Sequence, residues 1–198
     1  ITDNVIIRAG DIVTVNASPP TRVASISFNN NSALESGLNI AAGVTLTTGP
    51  GPVTLLNAAT TSTTASISGM GTLTCGTLDI GTPVTIATAG PSQNTLNLNI
   101  KTINVANNIT LNNSDYGGGA SSQPVLNINS GCTLSAFLIT FTHLRADGAG
   151  GAQGPDSRNY LQVNSGGTLT LCNFPPIIID YRIKLNRNIA TNPPQINV

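Results

Sequence analysis

A ten-residue phrase returns along this chain, and it limits what the chain can fold into more than any single residue does. Its copies occupy residues 5–14 (VIIRAGDIVT), 38–47 (LNIAAGVTLT), 65–74 (ASISGMGTLT), 103–112 (INVANNITLN), 126–135 (LNINSGCTLS) and 161–170 (LQVNSGGTLT). The first, third and ninth positions are apolar throughout. The eighth is Thr in every copy but the first, and the tenth is always Thr, Ser or Asn. The copies start 33, 27, 38, 23 and 35 residues apart. A phrase recurring at such intervals marks a repeat architecture, in which each unit buries its apolar face against the next.

One copy reads as strand, bend, strand. Leu126 and Ile128 alternate with Asn127 and Asn129, the period-2 pattern of a half-buried strand. Ser130-Gly131 supplies the bend, and Thr133-Leu134-Ser135 resumes the alternation with Leu134 inward. No stretch carries apolar residues at helical spacing over three turns. Further walls are expected at 23–28, 53–57, 82–87, 95–100 and 136–144. The pattern predicts an all-β fold, a right-handed parallel β-solenoid of about six irregular coils, which at roughly 4.8 Å per rung makes a column about 29 Å long. Its core should hold Leu38, Ile40, Leu46, Ile67, Leu73, Ile103, Val105, Leu111, Leu126, Ile128, Leu134, Leu161, Val163 and Leu169. An antiparallel sandwich also uses many short strands with Gly and Pro turns, but it gives no reason for the phrase itself to repeat.

The solenoid is expected over residues 1–176. The stretch 177–198, which follows Pro175-Pro176, changes texture: Asp180, Arg182, Lys184 and Arg187 bring charge, and Gly is absent. It reads as a terminal cap or as the start of a following module. Two glycine-rich stretches, 113–123 and 146–159, read as protruding loops. The chain starts without Met and has no long apolar run, which suggests a mature protein or an excised fragment with no transmembrane helix.

Only 8% of the residues are charged and the net charge is zero, so electrostatic capture of nucleic acid has no support. Aromatic residues are few and Trp is absent, which disfavours a carbohydrate site built on stacked rings. Cys75, Cys132 and Cys172 fall at different places in the phrase and read as buried structural thiols, with a disulfide between coils left open. Nucleotide, flavin and haem motifs are missing, and no cofactor or metal is expected.

The opening residues 2–15, with 23–28 and 38–47, resemble β-solenoid segments of large secreted surface proteins of Bacteroidetes, often adhesins exported by the type IX system. The resemblance spans about residues 2–172. It implies an extracellular or cell-surface location and a structural or adhesive task, with surface polysaccharide, protein or other copies of the chain as partners. No type IX sorting domain is recognisable at the C-terminal end.

Three functions are in view. The first is a non-enzymatic structural or adhesive module, self-associating into fibres through the open ends of its stack. The second is a polysaccharide lyase or glycoside hydrolase, which needs paired carboxylates or acids holding calcium. The residues available to either as a binding or reactive cluster are Asp115 and Tyr116 beside the first glycine-rich stretch, and His143, Arg145, Asp147, Asp156 and Arg158 around the second. The third is ice binding by outward Thr-x-Thr pairs, namely Thr45/Thr47, Thr72/Thr74, Thr110/Asn112, Thr133/Ser135 and Thr168/Thr170. That ladder is broken at Ile12, Asn112 and Ser135.

Overall fold

The structure, a computed structural model, describes residues 3–19, 22–29, 33–55, 62–81, 92–116, 120–145, 160–172, 182–186 and 195–197. Within them the chain forms strands and turns and no helix. In chain order the strands are β1 (Asn4–Arg8), β2 (Ile12–Val15), β3 (Ser25–Asn29), β4 (Ser36–Ile40), β5 (Thr45–Thr47), β6 (Pro52–Leu55), β7 (Thr63–Cys75) and β8 (Thr77–Ile80). They continue with β9 (Ser92–Tyr116), β10 (Ala120–Ile128), β11 (Thr133–Arg145), β12 (Tyr160–Asn164), β13 (Thr168–Leu171), β14 (Arg182–Asn186) and β15 (Gln195–Asn197).

The pairings sort these strands into three ladders, each running along the stack as one wall. The first wall is β1, β3, β6, β8, residues 109–111 of β9 and residues 138–145 of β11. The second is β2, β4, residues 63–69 of β7, residues 94–100 of β9, residues 123–128 of β10, then β12 and β14. The third is β5, residues 72–75 of β7, residues 102–105 of β9, residues 133–136 of β11, then β13 and β15. From β3 to β13 the chain visits the walls in the same cyclic order, so a strand there meets its own wall again only after passing the other two; before β3 the described strands fall on the first and second walls alone. Neighbours within a wall run parallel. The exception is a short hairpin in which Ala120–Ser122 pair with residues 114–116 in descending order; beyond it, residues 123–128 ascend in step with residues 93–98. The stretch 113–123, expected to be a loop, is thus strand over its described residues, 113–116 and 120–123.

Repeating pairs carry the same parity from wall to wall, and that is what makes a core. On the first wall Ile7, Phe28, Leu55, Ile80 and Leu111 stand in one column. On the third, Leu46, Leu73, Ile103, Leu134 and Leu169 do the same. All ten are buried and share a single apolar cluster with the columns of the second wall. At about 1.5–3 kcal/mol for each large apolar side chain removed from water, stacking supplies what an isolated strand–bend–strand lacks. Every residue expected in the core is buried. Ser36 begins one inward column and is followed there by Ala65, Leu96, Leu126 and Leu161; its hydroxyl is buried without a hydrogen-bond partner.

The six copies of the phrase are not equivalent turns. Those starting at residues 38, 65, 126 and 161 cross from the second wall to the third, whereas the copy at 5 crosses from the first to the second and the copy at 103 from the third to the first. The wall register narrows the uneven spacing: the threonines of the third wall follow one another at 27, 30, 31 and 35 residues. The sixth position decides which copies bend sharply but not which walls they join: the copy at 65, with Met70 there, is continuous strand and still crosses from the second wall to the third. Gly10, Gly43, Gly131 and Gly166, all at the sixth position, bend the chain with φ of +84°, +75°, +79° and +77°, a conformation that costs glycine little. The copy at 103 has Asn108 there, and β9 runs through it as continuous strand. The strand β8, which follows directly on the third copy, was not among the expected walls, and the expected wall at 82–87 lies outside the described residues.

The stretch 177–198 contributes β14 and β15, which carry the second and third walls one strand further.

Candidate binding face

Parity along each wall fixes what the three outer faces display. On the second wall, Asn97 and Asn127 stand in register, and the Asn127 amide donates to Asn97 Oδ1 at 2.8 Å. Nearer the corner, Asn164 donates to Asn129, and Asn129 donates to Asn99 at 2.8 Å. Ser66, outward on the same wall, donates to the Glu35 carboxylate. On the first wall, Ser25 donates to Asn4 at 2.8 Å, and Ser27 shares a hydrogen bond with Thr54 at 2.9 Å. On both faces the outward polar groups are tied from rung to rung, as side chains stacked in register allow.

The third wall differs. Thr45, Thr72, Thr102, Thr133 and Thr168 form one unbroken outward column. Beside it, two residues along each strand, runs a second column of Thr47, Thr74, Asn104, Ser135 and Thr170. Among the described residues, the hydroxyls of the five threonines of the first column make no hydrogen bond, although the Thr45 backbone N–H donates to Ser18 Oγ at 2.9 Å. Their hydroxyls face solvent, with Thr45 and Thr133 exposed and the others half-buried. None of the ten residues is charged.

Sequence reasoning assembled this ladder with one rung misplaced. It took Thr110 and Asn112 from the copy at 103, but the register sets those two on the first wall, where Thr110 pairs with Asp79 and Thr140. Thr102 and Asn104 hold the place instead. Ile12, taken as a break, pairs with Gly37 on the second wall and does not touch the array. The misleading signal was local: Thr102-Ile103-Asn104 and Thr110-Leu111-Asn112 have the same pattern, and only the long-range pairing tells them apart.

The other candidate cluster is placed in part. His143 and Arg145 lie at the end of β11, and Asp115 and Tyr116 at the end of β9. Backbone pairing sets Arg145 beside Asp115 and His143 beside Asn113, so the first wall brings together residues that are 30 apart in sequence. Asp147, Asp156 and Arg158 lie outside the described residues. Among the described residues, no three His, Cys, Asp or Glu side chains gather closely enough to hold a metal ion.

The cysteines divide in two. Cys75 and Cys132 are buried, and all three thiols are free. Burial pushes the Cys75 thiol up to about 12, and the negative charge of Asp79 adds to the effect. Burial likewise raises Cys132 to about 12, with a backbone hydrogen bond at Ile100 working the other way. Cys172, expected to be buried because of its apolar neighbours, is exposed: Leu169 and Leu171 take the inward positions of β13, and Cys172 lies just past the end of the strand.

Comparison with family models, with curated proteins and with solved structures finds no match to this chain.

Proposed function

We propose that the chain is a non-enzymatic structural and adhesive module of a bacterial extracellular or cell-surface protein, wound as a right-handed parallel β-solenoid of about six irregular coils. The observation that carries this reading is the continuity of the three walls, which place unbroken outward columns on a stiff, charge-poor body. Right-handed winding follows from the strong preference, about 98%, of parallel strands for right-handed crossovers. The resemblance of residues 2–172 to Bacteroidetes surface segments supports the location. Self-association draws on the N-terminal rung. Among the described residues β1 pairs only with β3 and β2 only with β4, and Val13, in register with the buried Leu38, is 36% exposed. An uncovered core and an unpaired edge both favour a further rung from another copy. Electron microscopy and sedimentation of the purified chain test this, together with binding to surface polysaccharides. Rods or end-to-end chains are expected; a compact monomer that adheres to no surface contradicts the reading.

A second reading, a polysaccharide lyase or glycoside hydrolase, draws on the pairing of Arg145 with Asp115 and His143 with Asn113. It predicts release of new chain ends from some polysaccharide, lost in His143→Ala and in Asp115→Asn. A panel of glycans left intact by the unaltered protein removes it.

A further inference from the structure

We infer that the outer face of the third wall binds the surface of ice. The inference deepens the adhesive reading above by naming the solid that one face fits.

None of the face's ten residues is charged, the exposed Lys101 standing at the corner before Thr102, and a charge on the array would hold its own hydration shell and resist transfer to an ordered solid. None of the ten is aromatic, the exposed Phe137 lying at the corner past Ala136, so a sugar has nothing to stack on within the array. What remains is a lattice of hydroxyls and methyls. Each hydroxyl donates one hydrogen bond and accepts two, which is close to the capacity of a water molecule. Threonine is β-branched and stiff at χ1, so the array is ordered before anything binds and loses little entropy on contact. The spacing is set by the backbone: about 4.8 Å between successive threonines up the column, and about 6.6 Å between the two columns. A partner meeting all the rungs at once must itself repeat in two dimensions, be uncharged, and offer donors and acceptors in equal measure. Ice does so.

The contrast with the second wall makes the face specific. There the outward amides of Asn99, Asn129 and Asn164 bond to one another; here the hydroxyls of Thr72, Thr102 and Thr133 bond to nothing in the described residues. The register strengthens the case beyond the sequence pattern, because Ile12 falls on the second wall and no longer interrupts the first column, which is left all threonine.

The test is ice-crystal shaping and thermal hysteresis of the intact chain at millimolar concentration, beside binding to microcrystalline cellulose. Thr133→Lys puts an ion within the array, with a threonine rung on either side, and Met70→Lys puts one at an exposed corner off the array. The expected result is faceted ice and a freezing-point gap for the unaltered chain and for Met70→Lys, with most of the gap lost in Thr133→Lys at unchanged melting temperature. If Thr133→Lys fails to fold, Thr133→Tyr, which suits a strand but breaks the flatness, reads the same loss. No hysteresis in the unaltered chain, equal hysteresis in both lysine variants, or retention on cellulose without any effect on ice overturns the inference. Filaments that ignore ice end this inference and leave the structural reading standing.

Discussion

Truncating Leu134 tests the stacked core where it is most constrained. Leu134 is fully buried and stands in the third-wall column between Ile103 and Leu169. Its neighbour Thr133 points the other way and is exposed. Leu134→Ala removes a buried isobutyl group and leaves a cavity that two fixed rungs cannot close, so the cost should fall at about 3–5 kcal/mol. Thr133→Ala touches no core atom and should cost less than about 0.5 kcal/mol beyond its strand preference. Urea unfolding of both variants, followed by circular dichroism, gives the comparison, with the denaturant slope unchanged. Leu134→Lys goes further: it places an unpaired ion between two rungs, and the chain should not fold. Equal losses for the two alanine variants would mean that residues 133 and 134 do not face opposite sides, and the parity argument fails.

Three further outcomes follow from the same geometry. In the native protein a maleimide should label Cys172 quickly and leave Cys75 and Cys132 untouched until denaturant is added; rapid labelling of all three in buffer contradicts their burial. Because burial raises both inner thiols from 9.0 to about 12, the unfolded state loses these protons first, so stability should hold below pH 9 and fall as pH rises from there toward 12; the double variant Cys75→Ala/Cys132→Ala should flatten that fall. Gly76→Ala sets a Cβ 2.0 Å from the Pro50 carbonyl oxygen and should cost about 3 kcal/mol by overpacking, measured as a lowered unfolding midpoint, whereas Ser36→Ala removes a hydroxyl with no partner and should leave stability equal or higher.

The local half of this fold was legible in the sequence, and the long-range half was not. Alternation marked the inward residues correctly, because whether a side chain enters the core depends on strand parity, which neighbours two apart reveal. Parallelism was inferred from the repeat and is what the walls display. Register is different: it depends on which rung meets which, and the corners vary in length. From Leu38 to Leu46 the second-to-third corner spans eight residues, whereas the register-matched stretch from Leu98 to Ile103 spans five. Sequence similarity therefore aligned Thr110 with the column that Thr102 occupies. The hairpin at the end of β9 escaped for a related reason, since glycine content marks the tip of a turn but not how far its arms extend. Asp115 and Arg145 were each singled out as residues, but only the pairing of β9 with β11 sets them side by side.

Distances between spin labels along the third wall measure the winding itself. Cys172→Ser removes the reactive background thiol, and pairs of cysteines then replace Thr45 with Thr133, or Thr45 with Thr168, for electron–electron dipolar spectroscopy. Three and four rungs should separate the labelled backbones by about 14 and 19 Å, one rung spacing apart. Separations that fail to grow from the first pair to the second, as in two facing antiparallel layers, would contradict the stacked walls on which the fold and both functional proposals rest.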